Sequence, residues 1–373
     1  MQPNEARAQF WLNKADLVQE LSLAMGAVER KTTIPILGNV RLEASDFGYL
    51  AITATDLEIG LQSRCPAEVK KPGVATLPAK RLLDYVRLLP DGPVEIRFTE
   101  NDWARIQAGR SKMRMAGLSA ESFPELPAPP DSGFDIPLKT LARMIQRVLF
   151  AISLEQSRFT LEGAQFEVGA DSFRMVATDG HRLAFIEVPG GAKPEKMIIP
   201  RKALLELLRL AGTVDGDAKV EFATDSNHLF FTVGDRLLLS RRLSGNFPDY
   251  SRVLPKSFKG TAKVNVREMR RALDRALVLS DDRRVVKLNI ADGQLTVSSG
   301  QTETSETDET MAAEVSGPSL EIWFNGDYLT DFLAVVDTEQ AVLSYNDATM
   351  AIQLAPVGEE AGEYKYIVMP MRI

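Results

Sequence analysis

The feature that most constrains this chain is internal repetition. Thr55-Asp56 in ITATDLEIGL returns as Thr178-Asp179 in MVATDGHRLAF, 123 residues later. Leu77-Pro78-Ala79-Lys80 returns as Ile199-Pro200-Arg201-Lys202 after 122 residues, and Phe123-Pro124 in SFPELP returns as Phe247-Pro248 in NFPDYSRVLP after 124. Collinear matches at a fixed lag mark duplicated units. A chain of 373 residues has room for three of them, in keeping with ordinary domain sizes.

Each unit carries two segments with the apolar spacing of a helix face. The first set starts at Leu17, running to about Arg30, at Leu141 and at Met269. The second set covers 79–89, 201–211 and 326–336. Apolar residues near i, i+3, i+4 and i+7 give one buried stripe per helix. Between the helices lie short alternating runs such as YLAITAT, SFRMVAT, KVEFAT, LFFTV, QLTVSS and AVLSYN, which read as half-buried strands. Asp91-Gly92, Asp292-Gly293 and the stretch 225–228 read as hairpin turns. The expected fold class is therefore α+β, with two helices packed on antiparallel sheet in each of three repeated domains. Pro-rich stretches at 124–133 and 247–257 mark the linkers, giving expected domains at 1–128, 129–254 and 255–373.

Several function classes find no support. Cys65 is the single cysteine, so no internal disulfide can form, which fits a reducing cytoplasm. His181 and His228 are the two histidines, and no metal-ligand spacing links them to Cys65. There is no Gly-rich phosphate loop and no GxSxG elbow, so no metal or cofactor is expected. No apolar run reaches the roughly 20 residues of a membrane span, and the start MQPNEARAQFWLNK lacks the pattern of a secretory leader.

The net charge of −7 would by itself argue against a nucleic-acid-coating protein. Its distribution says otherwise. The helix windows 14–31, 77–90, 137–153, 199–212, 265–280 and 324–336 carry 0, +2, +3, +2, +2 and −2, together +7. Everything outside them therefore carries −14. If the helices share one side of the molecule, that side attracts phosphate backbone while the acidic remainder discourages stray binding. No base-reading motif accompanies the charge, so binding would be indifferent to sequence and would permit sliding.

TTIPILGNV (32–40), ATDLEI (54–59), VATDGHRLA (176–184), IIPRKALLEL (198–207), NFPDYSRVLPK (246–256) and YIVMPMRI (366–373) together resemble the bacterial beta clamp family, collinearly over essentially the whole chain. The resemblance implies a head-to-tail homodimeric ring with helices lining the hole and sheets outside. Duplex DNA would pass through it, and the chain would serve as a non-catalytic processivity subunit of DNA polymerase III. Implied partners are the polymerase III alpha subunit, the clamp loader, other polymerases and mismatch-repair proteins, each using a short clamp-binding peptide.

The same resemblance assigns a partner-peptide pocket to Leu161, Thr178, Gly180, His181, Arg182, Leu183, Pro248, Arg252, Val253, Ile367, Met369, Pro370, Met371 and Arg372. Adaptable methionines in an apolar pocket with few polar groups suit a short peptide with apolar anchors. The resemblance places DNA contacts at Arg30, Lys31, Lys80, Arg158, Arg201 and Lys202. It places the dimer seam at Arg81, Arg110, Lys112, Met113 and Met115, facing Val278, Leu279, Glu303, Glu306, Asp308 and Glu309. The residues alone say less. In 110–115, basic residues alternate with Ser111, Met113 and Met115, while 301–310 is acidic. These could be two unrelated solvated edges or two complementary ones. Thr178-Asp179-Gly180 by itself is a tight turn, and the terminal MPMRI by itself is a docked last strand. His181 lies two residues after Asp179, but no nucleophile motif surrounds the pair. A second function class stays open: a duplicated clamp paralogue acting as a peptide-binding adaptor in repair or drug resistance.

Overall fold

The computed structural model describes residues 6–29, 33–155, 157–214, 217–302, 305–358 and 362–372. Arg30, Lys31 and Glu303 lie outside the described residues. The described chain contains helices α1 (Lys14–Ala24), α2 (Ala79–Leu88), α3 (Leu138–Val148), α4 (Arg201–Ala211), α5 (Val266–Val278) and α6 (Gly326–Val335) together with four antiparallel sheets. The fold class is α+β.

The helices start in two ways. Asn13, Asn265 and Asn325 precede α1, α5 and α6 as N-caps, each side-chain oxygen accepting from a first-turn amide, such as Ala15 N at 2.9 Å. Pro78, Pro137 and Pro200 precede α2, α3 and α4; proline's fixed φ suits the entry to a helix. The first helix is shorter than its apolar pattern suggests. It stops at Ala24 instead of running to about Arg30, because Gly26 and Ala27 donate to Leu23 and Ala24, tightening the chain into a 3-10 turn.

The chain forms two compact units: Met1–Lys139 with Lys202–Arg242, and Thr140–Arg201 with Leu243–Ile373. In the first unit one sheet joins Glu68–Lys71, Ala8–Asn13, Pro93–Phe98, Trp103–Ala108 and Ser111–Ala116. A second, eight-stranded sheet pairs Arg236–Arg241 directly with Ile59–Pro66, Leu238 opposite Leu61. In the second unit a nine-stranded sheet pairs Arg182–Pro189 with Glu363–Val368, Leu183 opposite Ile367. A four-stranded sheet completes that unit, with the acidic strand Ser305–Ala312 at its edge. The central third of the sequence thus supplies strands to both units.

Two of the expected hairpins form. Asp292 and Gly293 both have positive φ, 51° and 76°, as a tight hairpin turn requires, and residues 225–228 join Lys219–Thr224 to His228–Val233. Asp91-Gly92 does not: it links α2 to the strand Pro93–Phe98, Gly92 taking φ 119° to make the reversal.

One helix cation is not at the surface. Arg147, counted among the positive charges of α3, is 2% exposed. Its guanidinium donates to Val335 O at the end of α6 and lies over the Tyr364 ring at 5.1 Å. It satisfies a carbonyl at a helix C-terminus, where a cation is favoured.

Candidate functional site

The repeated Thr-Asp pair builds a repeated turn. Thr178 Oγ1 donates to Arg182 O at 2.6 Å and accepts from Gly180 N at 3.1 Å. Asp179 Oδ1 accepts from His181 N at 2.9 Å and Arg182 N at 3.0 Å. Thr55 and Asp56 make the same bonds to the chain ending at Ile59. Thr224 and Asp225 repeat the bond to the closing carbonyl, His228 O, and the bonds from Asn227 N and His228 N. The side chains replace backbone partners that the reversal leaves unmet.

The second carboxylate oxygen differs from turn to turn. Asp56 Oδ2 binds the Lys202 ammonium, and Asp225 Oδ2 meets His228 Nδ1 at 3.2 Å. Asp179 Oδ2 accepts from Arg182 Nε at 3.0 Å. Arg182 also donates to Asp331 Oδ2 on α6 and to Phe150 O at 2.6 Å, and it stacks over Tyr328 at 4.3 Å. Held by two carboxylates, a carbonyl and a ring face, Arg182 serves as a half-buried strut under the turn rather than as a free cation. Gly180, at φ 92°, is required twice: L side chains rarely adopt that conformation, and a Cβ there would stand 2.8 Å from Arg158 Nη1.

Beside the turn lies an apolar sheet face. Val176, Leu183, Phe185 and Ile367 form its buried floor, with Phe247, Tyr250, Leu254 and Ala351 packed against it. Leu161 and Thr178 are buried nearby. Exposed at this region are His181, Gly180, Pro248, Arg252 and Arg372, with Val253 at 44% and Met369 at 47%; Pro370 and Met371 are half-buried. The last residues are held by backbone bonds, Met369 N to His181 O at 3.0 Å and Met371 N to Trp323 O at 2.8 Å. Exposed Met and Val over an apolar floor can desolvate an apolar ligand side chain at little rearrangement cost.

The basic residues singled out in the sequence are variously engaged. Lys80 is exposed on α2 and pairs with Asp84 at 2.7 Å. Arg158 pairs with Glu155 at 3.1 Å and donates to Asp179 O at 2.8 Å. Arg201 lines a cleft of about 270 Å³ together with Ser153, Asp179, His181 and Arg182. Lys202 is tied to the buried Asp56 carboxylate.

Three family models match the chain: the DNA polymerase III beta subunit N-terminal domain over residues 8–127, its central domain over 135–249 and its C-terminal domain over 251–372. The beta sliding clamp of Pseudomonas putida is 35% identical over 371 residues, covering 98% of this chain and 100% of that protein. The chain belongs to the DNA polymerase III beta subunit family, the beta sliding clamps. The crystal structure of the DNA polymerase III subunit beta from Pseudomonas aeruginosa matches with a TM-score of 0.91 at 34% identity, covering 98% of this chain and all of that one. A Pseudomonas aeruginosa sliding clamp bound to griselimycin matches with a TM-score of 0.92 at 33% identity over the same shares.

Two strand edges carry the residues that clamp resemblance assigns to a seam. In Ser111–Ala116, Lys112 is exposed while Met113 and Met115 turn inward, Met115 to 8% exposure. Arg110 sits in the preceding turn, Arg114 stacks on Trp103 at 4.7 Å, and Arg81 is exposed on α2. On the acidic strand, Glu306 and Asp308 are accompanied by Glu309, which pairs with Arg275 at 2.5 Å; that contact pulls the Glu309 carboxyl below its ordinary range. Val278 is 79% exposed at the end of α5, beside exposed Leu279.

Sequence reasoning missed several side chains around the turn and the apolar face. Asp331, Tyr328 and Phe150 contact Arg182, and Tyr250 reaches Glu167 and packs on Phe185. The last was discoverable, because Tyr250 stands inside the quoted NFPDYSRVLP motif.

Proposed function

We propose that this clamp encircles duplex DNA without sequence preference and tethers the replicative polymerase to it, conferring processivity. The observation that carries the reading is membership of the beta sliding clamp family along the full chain. In this reading three domains, 1–128, 129–254 and 255–373, pair head to tail with a second copy into a closed ring, in line with the preference of oligomers for closed symmetry. The chain is a non-catalytic subunit and works in the cytoplasm. Among the described residues no helix is long and apolar enough to cross a membrane.

DNA phosphates are met by Arg30, Lys31, Lys80, Arg158, Arg201 and Lys202. For Lys80, Arg158 and Lys202 this requires exchanging the carboxylate partners they now hold, so Arg201 carries more of the load. Basic Arg81, Arg110 and Lys112, with Met113 and Met115, meet Val278, Leu279, Glu303, Glu306, Asp308 and Glu309 of the second copy. Complementary charge at two strand edges selects head-to-tail pairing. The apolar face around Leu183, Ile367, Val253 and Met369 takes short peptides of the polymerase III alpha subunit, the clamp loader, other polymerases and mismatch-repair proteins. It also takes griselimycin. Negative-stain electron microscopy of the purified protein tests the assembly: closed rings with a hole wide enough for duplex DNA support it, and compact particles without a hole refute it.

A further inference from the structure

We propose that Glu167 and Tyr250 form a latch that positions the 247–254 wall of the peptide face and so sets how tightly that face holds an apolar ligand. The proposal deepens the peptide-face reading and rests on it. Strand register puts Gln165, Val176 and Phe185 in one cross-strand row and Lys196, Glu167, Arg174 and Glu187 in the next. Residues two apart along a strand share a face, so the charged row lies on the same side of the sheet as Leu183, Ile367 and Thr178.

The charged row alternates in sign and is closed by contacts. Lys196 Nζ lies 3.2 Å from Glu167 Oε1, Arg174 Nη1 lies 3.8 Å from Glu167 Oε2, and Arg174 Nε lies 2.8 Å from Glu187. Glu167 is only 5% exposed, and a carboxylate at that depth persists because cations and donors surround it. Gln165 donates to Oε1, and so does the Tyr250 hydroxyl at 3.1 Å.

Tyr250 is thereby fixed at both ends. Its ring packs on Phe185 with centroids 5.9 Å apart, and its hydroxyl is held by a carboxylate that is itself immobilised. The segment needs such an anchor. Between Arg241 and Gly260 the chain enters no strand, and its one short helical turn, Tyr250–Arg252, is capped by Asp249. The residues it presents to a ligand, Pro248, Arg252 and Val253, are exposed. A wall held by side chains alone binds well only if its anchor removes the ordering cost beforehand.

The test is a double-mutant cycle on the full-length protein, with griselimycin affinity read by calorimetry. Tyr250→Phe keeps the ring and removes the hydroxyl; it should weaken binding by about 3- to 10-fold, the range of one hydrogen bond. In a Glu167→Ala background the same change should have no further effect. Glu167→Gln, which keeps a carbonyl acceptor, should restore part of the affinity lost in Glu167→Ala. An undiminished effect of Tyr250→Phe in the Glu167→Ala background overturns the latch, as does unchanged affinity in Tyr250→Phe itself. Met371→Ala separates the two claims. If it weakens binding while Tyr250→Phe does not, the latch alone fails. If neither weakens binding, the peptide-face reading fails and the latch with it.

Discussion

Asp179 grips Arg182 through both carboxylate oxygens, Oδ1 on its backbone amide and Oδ2 on its Nε, each at 3.0 Å. The pair converts a three-residue reversal into a rigid corner, and the guanidinium carries that corner onto α6 through Asp331. Arg182→Met should therefore cost about 2–4 kcal/mol, because it removes the guanidinium donor from Asp179 Oδ2, Asp331 and Phe150 O. Urea unfolding followed by circular dichroism measures it. A loss under 0.5 kcal/mol, typical of a surface site, would show that Arg182 is not a strut.

Met371 is half-buried and tied to Trp323 O through its own amide. Met371→Ala, or removal of the last five residues, should weaken griselimycin binding by about 10-fold or more, in line with the loss of a well-packed apolar contact, while the dimer survives. Unchanged affinity in calorimetry would refute the pocket assignment.

Arg110 and Lys112 stand at the open edge of their sheet, Lys112 exposed in the strand Ser111–Ala116 and Arg110 in the turn before it. Reversing both, Arg110→Glu with Lys112→Glu, places like charge against the acidic strand of a second copy and should give monomers. Sedimentation velocity decides, and a dimer persisting at nanomolar concentration contradicts the seam.

Cys65 supplies a pH signature. Burial first, then the nearby negative charge of Glu20 and Asp16, pushes its thiol from an ordinary 9.0 up to about 12. The folded value lies above the unfolded one, so this contribution to stability is complete below pH 9 and is lost as pH rises from 9 toward 12. Folded protein should react negligibly with an alkylating reagent at pH 8, and Cys65→Ala should flatten the alkaline fall in stability between pH 9 and 11. Fast native-state alkylation would contradict the burial.

Much of the local architecture was legible in the sequence, for a physical reason. The Thr-Asp repeat at 55 and 178 could be seen because its side chains make the turn themselves, whereas the third copy at 224 reads in the sequence only as a hairpin turn. Apolar spacing locates the second helix of each unit, at 79, 201 and 326, but opens the first at Leu17, Leu141 and Met269, while those helices start at Lys14, Leu138 and Val266. Long-range partners could not be seen. Arg147 reads as one more helix cation until Val335 O and Tyr364 are found around it. Nothing near Lys202 in the sequence points to Asp56, 146 residues away, which holds its ammonium. The pairing of Arg236–Arg241 with Ile59–Pro66 leaves no local trace, because any alternating apolar strand could fill that place. The clamp family likeness supplied the candidate site residues that periodicity and charge could not.

A clamp that surrounds DNA is held on it by topology. Loading the labelled protein onto nicked circular DNA and then cutting the circle tests this directly. Encirclement should give retention at high salt on the circle and rapid release once ends exist, since a ring needs no strong phosphate contact to stay on a closed track. Salt-sensitive binding that is indifferent to linearisation would contradict it.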